Sequence, residues 1–104
     1  MFGDDLGTQQ GPVMSPALYR KLIKPAHARM VQAVRKFNKP VLLHSCGSVA
    51  AFIPDLIEIG VVMYNPIEPT SGADIYEVHR KYGDKIAFSG NIDIAGVFAF
   101  GSPQ

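Results

Sequence analysis

The chain has 104 residues, and its 47% hydrophobic content suffices for one modest globular core. Ten Lys and Arg residues against nine Asp and Glu residues give a formal net charge of +1, which lacks the basic excess that favours nucleic-acid binding. Apolar runs stay far below the roughly 20 residues that span a bilayer, and Cys46, the single cysteine, has no intrachain disulfide partner. We predict one soluble domain in the reducing cytoplasm, with no nucleic-acid and no membrane partner.

Residues 15–38 carry helix signals. Ser15 suits an N-cap and Pro16 the first helical position, whereas Pro25 lacks the amide hydrogen that a helix interior needs. We predict a kinked helix, or two abutting helices, ending near Asn38. An apolar stripe on the second part of this segment consists of Met30, Val31, Val34 and Phe37.

Three short apolar runs predict buried strands of a parallel sheet. The runs cover residues 41–44, 61–64 and 86–88, and the second is followed by Asn-Pro. Helical patterns at 48–59 and 74–82 separate the runs, and each is followed by a glycine. This alternation indicates right-handed crossovers between parallel strands, and therefore an α/β fold.

Polar side chains appear where each predicted strand ends. Sites in parallel α/β folds form at the carboxyl ends of the strands, so this distribution is typical of an active-site rim. The alternative is that the polar residues only mark where the strands reach the surface. The residues concerned are His44, Ser45, Cys46, Asn65, Asn91 and Asp93.

His44 and Cys46 lie two residues apart at a predicted strand end, so in extended geometry both side chains project from the same face. Imidazole nitrogen and thiolate sulfur are preferred zinc ligands, and a catalytic zinc site would need a third ligand from elsewhere. The alternative is that Cys46 is a small core hydrophobe. Gly47 permits a tight turn, and Ser48 can cap the next helix, whose free amides are a candidate cradle for a substrate anion.

Four further polar residues allow more than one interpretation. Asp4 and Asp5, flanked by glycines, suit a loop that coordinates or orients a ligand, or else a solvated turn. His27 and His79 lie near arginines in helical segments, which favours surface positions. The sequence contains no Gly-x-Gly-x-x-Gly, Walker, nucleophile-elbow or zinc-finger pattern.

Several short segments follow one another along the chain: FGDDLGTQ at 2–9, MSP at 14–16, LYR at 18–20, IKP at 23–25, LHSCGS at 43–48, IPDLI at 53–57, NPIEP at 65–69, GDK at 83–85 and GNID at 90–93. In this order they resemble the uroporphyrinogen decarboxylase superfamily, essentially end to end. The resemblance implies a (β/α)8 barrel. It also implies one of two activities: cofactor-free decarboxylation of uroporphyrinogen in porphyrin biosynthesis, or zinc-dependent methyl transfer between a corrinoid and a thiol or similar acceptor.

The His-x-Cys-Gly segment distinguishes the two branches of the superfamily. In the methyltransferase branch it resembles the first two zinc ligands, which implies His44 and Cys46 as metal ligands here. The third ligand of that branch is a Cys further toward the C-terminus, and this chain has no second Cys. Decarboxylases lack the pair and use an Arg-rich, Asp-bearing N-terminal region that this chain does not contain. Through the His44–Cys46 pair, the resemblance favours a zinc methyltransferase whose methyl donor is a corrinoid on a partner protein, with the decarboxylase as the alternative.

The resemblance also implies the roles of other site residues. Zinc would bind the acceptor thiol and lower its pKa, while Asp4 and Asp5 line the rim as candidate catalytic residues. In the decarboxylase alternative, which needs no cofactor, acidic or amide groups at the same rim contact pyrrole nitrogens and promote protonation of the ring. The candidate substrate-pocket residues are Gln9, Asn65, Asn91 and Asp93.

The length adds a further expectation once the barrel is considered. A (β/α)8 barrel needs roughly 250 residues, so residues 1–104 are expected to form an interior slice of one such domain with about three of its strands. Phe2 would then lie inside a loop, and Ser102-Pro103 would begin a helix. A third hypothesis is a catalytically incomplete fragment that acts only within an assembly, with self-association through open barrel edges.

Overall fold

The computed structural model describes residues 1–103 and has the α/β fold that the sequence predicts. The strands are β1 (Phe2–Gly3), β2 (Gly7–Thr8), β3 (Gly11–Pro12), β4 (Leu42–His44), β5 (Met63–Ile67) and β6 (Ala87–Gly90). The helices are α1 (Pro16–Leu22), α2 (Lys24–Arg35), α3 (Ile53–Ile59), α4 (Ile75–Tyr82) and α5 (Val97–Phe100). Two 3-10 turns, Ala50–Phe52 and Pro69–Ser71, lie before α3 and α4.

The strands of the main sheet lie side by side in the order in which they occur along the chain. β1, β4, β5 and β6 are neighbours in that sequence and pair in parallel, while β2 and β3 form a separate antiparallel hairpin. A doubly wound sheet would reverse direction at a switch point, whereas a (β/α)8 barrel places successive strands side by side. The strand order is therefore compatible with part of a (β/α)8 barrel, and across residues 1–103 the sheet remains open.

The three predicted strands are confirmed as β4, β5 and β6, with shifted ends. β5 continues through Asn65-Pro66 to Ile67, because its backbone still pairs with Gly90 of β6. The sequence predicts about three strands, and the sheet has a fourth: the placement of Phe2 in a loop is wrong, since β1 pairs with Leu43 and His44. A strand of two residues shows no periodicity, and its partner is distant in the chain, so the sequence gives no local signal for it.

The interruption at Pro25 is confirmed as two abutting helices. The Ser15 hydroxyl accepts a hydrogen bond from the Leu18 amide and caps α1. A single residue, Ile23, lies between α1 and α2, and α2 stops at Arg35 rather than near Asn38. α4 matches its predicted range.

The apolar stripe of α2 is largely exposed. Only Val31 is fully buried. α2 packs mainly against α1 and α3, so the rest of the stripe lies outside the core. The exposed fractions are 46% for Met30, 40% for Val34 and 78% for Phe37.

The helix predicted over residues 48–59 begins later than expected. It consists of the 3-10 turn Ala50–Phe52 followed by α3, and Gly60 ends it with a left-handed φ of 96°. Ser48 lies before both elements, and the expectation that it caps the helix is wrong.

β4 and the residues after it have two faces. One face lies in the hydrophobic core, and the other, the half-open face, is only partly covered. Val41, Leu43 and Ser45 are buried on one side, in the same core as the fully buried Tyr19 and Tyr64. Burial of each large apolar side chain there contributes about 1.5–3 kcal/mol. On the other side, the alternate residues Leu42, His44 and Cys46 are half-buried. The sequence predicted burial on both faces, and only one face is fully covered.

The segment from Ile92 to Phe100 exposes much apolar surface. α5 and the residues before it present large apolar side chains that are 65–87% exposed: Ile92, Ile94, Val97, Phe98 and Phe100. Within residues 1–103, no helix has the length and apolar character needed to cross a membrane.

Candidate functional site

The half-open face of β4 brings His44 and Cys46 together. The Cys46 Sγ lies 3.5 Å from His44 Nε2, so the two side chains share a face as their spacing predicts. Asp5 lies beside them, and one ligand atom from each of the three residues falls within 4.8 Å of the others. An imidazole nitrogen, a thiol sulfur and a carboxylate oxygen therefore converge at the carboxyl end of the sheet.

The pairing of β1 with β4 places Asp5 at this site. Gly3 lies opposite His44 in the sheet, and the Asp4 amide donates to the His44 carbonyl at 3.0 Å. The chain then continues past β4, where the Asp5 carboxylate accepts a hydrogen bond from the Cys46 amide at 3.0 Å. Backbone groups of His44 and Cys46 therefore bind the acidic loop, which carries Asp4 and Asp5.

Two glycines allow the two loops to touch. A Cβ on Gly7 would lie 2.6 Å from the Ser48 nitrogen, and a Cβ on Gly47 would overlap the backbone of Gly7. Gly47 also has a left-handed φ of 79°, which side chains other than glycine adopt at a cost. The Ser48 amide donates to the Thr8 carbonyl at 2.8 Å across the same contact. Backbone packing therefore fixes the position of the loops that carry the donor atoms.

Glu68 is a site residue that the sequence reasoning missed. Its carboxylate Oε2 accepts hydrogen bonds from the Gly47 amide at 2.6 Å and from the Gln9 side chain at 3.0 Å. Glu68 directly follows β5, so its position at a strand end was a signal that could have identified it.

The amides just before the Ala50–Phe52 turn are bonded within the chain. The Cys46 and Gly47 amides are occupied by the carboxylates of Asp5 and Glu68, and the Ser48 amide bonds a carbonyl. Two of these amides therefore bind the chain's own carboxylates, while the anion cradle predicted at the start of the helix stays a prediction.

The charged side chains next to Cys46 are both acidic. Burial raises the pKa of the Cys46 thiol, and the negative charges of Asp5 and Glu68 raise it further. In the part of the chain that the structure describes, no Lys or Arg lies within ion-pair distance of either carboxylate. The site thus gathers electron-rich donors without a positive partner.

Asn65, expected as a pocket residue, lies against His44. His44 Nδ1 and Asn65 Oδ1 are 2.9 Å apart, and the Asn65 amide nitrogen donates to Ser89 Oγ at 3.3 Å. A chain of side-chain hydrogen bonds therefore crosses from β4 over β5 to β6.

The surface position expected for His27 is wrong, whereas His79 is exposed as predicted. His27 is only 3% exposed and lies between the Tyr19 hydroxyl, 3.1 Å from Nδ1, and the Asp4 carboxylate, 3.0 Å from Nε2. Burial, followed by the charges of Asp55 and Asp4, raises the pKa of Tyr19 to about 12. Asp4 is therefore joined to a buried histidine and does not belong to the donor group that Asp5 completes.

The remaining pocket candidates separate into two groups. Gln9 and Asp93 line a cavity of about 370 Å³, together with Glu68, Ile92 and other residues. Three backbone amides of the α5 start bond the Asp93 carboxylate, and those hydrogen bonds lower its pKa. Asn91 is exposed and does not line this cavity.

Comparison with known proteins matches the chain to a family. No curated protein and no solved structure matches the chain. The family described as uroporphyrinogen decarboxylase (URO-D) matches residues 4–104, which include the acidic loop, the His44–Cys46 segment and Glu68. The chain belongs to the uroporphyrinogen decarboxylase family.

Proposed function

We propose that this domain acts in zinc-dependent methyl transfer from a corrinoid to a thiol or a similar acceptor. The observation that carries the proposal is the convergence of donor atoms from Asp5, His44 and Cys46 within 4.8 Å of one another. The His44–Cys46 pair is also the feature that, by resemblance, separates methyltransferases from decarboxylases in this family.

The chemistry of the donor set fits zinc. Imidazole, thiolate and carboxylate are the ligands that zinc binds in proteins, and three protein ligands leave a position open for a substrate. The carboxylates of Asp5 and Glu68 lie near a thiol whose pKa burial raises, so the thiolate form gains little from its surroundings. A dication would reverse that balance, because metal binding favours the deprotonated thiol.

The proposal assigns a role to three donor residues and to one cavity. His44 and Cys46 hold the metal, and Asp5 offers a third donor from within the chain. Bound zinc supplies Lewis acidity that lowers the pKa of an acceptor thiol. The cavity lined by Gln9 and Asp93 offers room for the acceptor beside the site.

The overall reaction balances without a further reactant. A sulfur–carbon bond forms as the cobalt–carbon bond of the methylcorrinoid breaks, the bonding electron pair stays with the corrinoid, and the thiol proton goes to solvent. We propose that the corrinoid is carried by a partner protein.

Zinc binding by the chain tests this proposal. In competition with a chromophoric chelator, we expect one zinc ion per chain, and at least about 100-fold weaker binding for His44→Ala and for Cys46→Ser, since each variant removes a ligand. His79→Ala, at an exposed histidine, serves as the matched control and should bind zinc like the wild type.

Two results would contradict the proposal. One is zinc binding by both ligand variants that equals that of the wild type. The other is metal-independent conversion of uroporphyrinogen to coproporphyrinogen under anaerobic conditions, without methyl transfer from methylcobalamin to a thiol, which would assign the chain to the decarboxylase branch.

A further inference from the structure

The surroundings of His44 define which of its two ring nitrogens is free. His44 and Asn65 are direct neighbours across the parallel pairing of β4 and β5. His44 Nδ1 lies 2.9 Å from Asn65 Oδ1, while His44 Nε2 lies 3.5 Å from Cys46 Sγ. One ring nitrogen therefore faces an amide, and the other faces the thiol.

The hydrogen-bond chemistry of Asn65 determines where the imidazole proton sits. An amide oxygen only accepts hydrogen bonds, so Nδ1 must carry the hydrogen that it donates to Oδ1. On its other side the amide is anchored to β6, because its NH2 group donates to Ser89 Oγ at 3.3 Å. A neutral imidazole has one N–H, so Nε2 keeps its lone pair, on the side of Cys46.

We propose that Asn65 is the positioning residue of the candidate metal site: it holds His44 as the Nδ1–H tautomer and makes Nε2 the ligand atom. The functional value of this tautomer rests on the zinc site proposed above, whereas the tautomer itself does not require a metal. Metal-binding histidines in proteins donate their second ring N–H to an acceptor, which fixes the ring and its tautomer.

An amide suits this position better than a carboxylate. An Asp side chain could accept from Nδ1, but it would add a negative charge near Asp5 and Glu68. Asn65→Leu removes the acceptor while it keeps the branched shape of the side chain, and Ser89→Ala removes only the anchor of the amide. The two variants therefore separate the bond to His44 from the support behind it.

Nitrogen NMR of the metal-free chain tests the tautomer directly. In 15N-histidine-labelled protein at about pH 8.5, where an ordinary histidine is neutral, two-bond 1H–15N correlations distinguish Nδ1–H from Nε2–H. We expect His44 to be the Nδ1–H form in the wild type and to shift toward a mixture of both forms in Asn65→Leu. The exposed His79 serves as an internal reference in the same spectra.

Ser89→Ala keeps the test decisive if Asn65→Leu does not fold. It should move the His44 tautomer in the same direction by a smaller amount. An Nε2–H form or a mixture in the wild type would overturn the proposal, as would an unchanged tautomer in every folded variant.

Zinc affinity separates this proposal from the proposed function. With zinc alone as the probe, we expect about 10–100-fold weaker binding by Asn65→Leu, or a smaller loss in the same direction by Ser89→Ala. If the wild type binds no zinc, the proposed function fails while the tautomer result stands. If the wild type binds zinc and the folded variants bind it equally tightly, the positioning role is wrong.

Discussion

Two polar clusters in this molecule differ in how their charges are matched. The helix cluster, formed by Arg20, Lys24, Asp55 and Glu58, pairs each carboxylate with a cation at 2.6–2.9 Å. The strand-end cluster, formed by Asp5, His44, Cys46 and Glu68, has no Lys or Arg partner within residues 1–103. The carboxylates of the helix cluster are therefore neutralised by cations of the same cluster, whereas the negative charge of the strand-end cluster is not neutralised by a Lys or Arg of residues 1–103.

The pKa shifts in the two clusters run in opposite senses. Burial tends to raise the pKa of Asp55, but hydrogen bonds and charges from Lys24 and Arg20 outweigh it and lower the pKa. Burial raises the pKa of Cys46, and the neighbouring carboxylates add to that effect. The helix cluster therefore stabilises its ionised groups, whereas the strand-end cluster would need an added cation to do so. This contrast supports the metal-binding proposal.

The largest expected effect comes from disrupting the strand-end cluster through its backbone. Gly47→Ala should lower the free energy of unfolding by about 4 kcal/mol, because the new Cβ overlaps Gly7 and the φ of 79° strains an alanine. Chemical denaturation measures this loss, and zinc titration should show that binding is lost as well.

Gly72→Ala is the matched control for that substitution. Gly72 has a similar left-handed φ of 75°, but a Cβ there would meet nothing within 4 Å. The control should cost only about 1 kcal/mol. Equal losses for the two variants would show that the Gly7–Gly47 contact contributes nothing to stability.

The helix cluster should respond to Asp55→Asn with a loss of about 2 kcal/mol, since the substitution leaves Arg20 and Lys24 without their shared carboxylate. The value is below that of a fully buried pair because Arg20 is half exposed. Zinc affinity should not change. Glu58→Gln, at a side chain that is 73% exposed, is the control and should cost less than about 0.5 kcal/mol.

The acid response of Asp55 gives a smaller effect with a definite sign. Its folded-state pKa lies below the ordinary value, so the unfolded chain takes up the proton first as the pH falls. The contribution of Asp55 is therefore present above about pH 4 and is lost below it, as the pH falls through the folded-state pKa. Denaturation midpoints should fall less steeply in this range for Asp55→Asn than for the wild type. Identical slopes would contradict the role of this carboxylate.

The sequence predicted the elements that have local signals. Alternation of side chains along an extended segment placed His44 and Cys46 on one face, and Pro25 marked the break between α1 and α2. Both features depend on neighbours within a few residues, so composition and spacing suffice to predict them.

The features that were missed depend on contacts between distant segments. β1 exists because it pairs with β4, Glu68 joins the site because β5 ends beside β4, and His27 is buried because Asp4 and Tyr19 bond its ring. No local sequence signal reports the contacts of β1 and His27, whereas the position of Glu68 directly after β5 was a signal that the sequence reasoning did not use. The same lack of a local signal holds for the exposed stripe of α2, whose partners are set by the fold.

Cobalt(II) binding tests the central claim most directly, because cobalt(II) occupies zinc sites and a thiolate ligand gives it a charge-transfer absorption band. The account predicts this band in the wild type and in Asp55→Asn, and its loss in Cys46→Ser. A wild-type chain without the band, or a Cys46→Ser variant that retains it, would contradict the assignment of the strand-end cluster as a metal site.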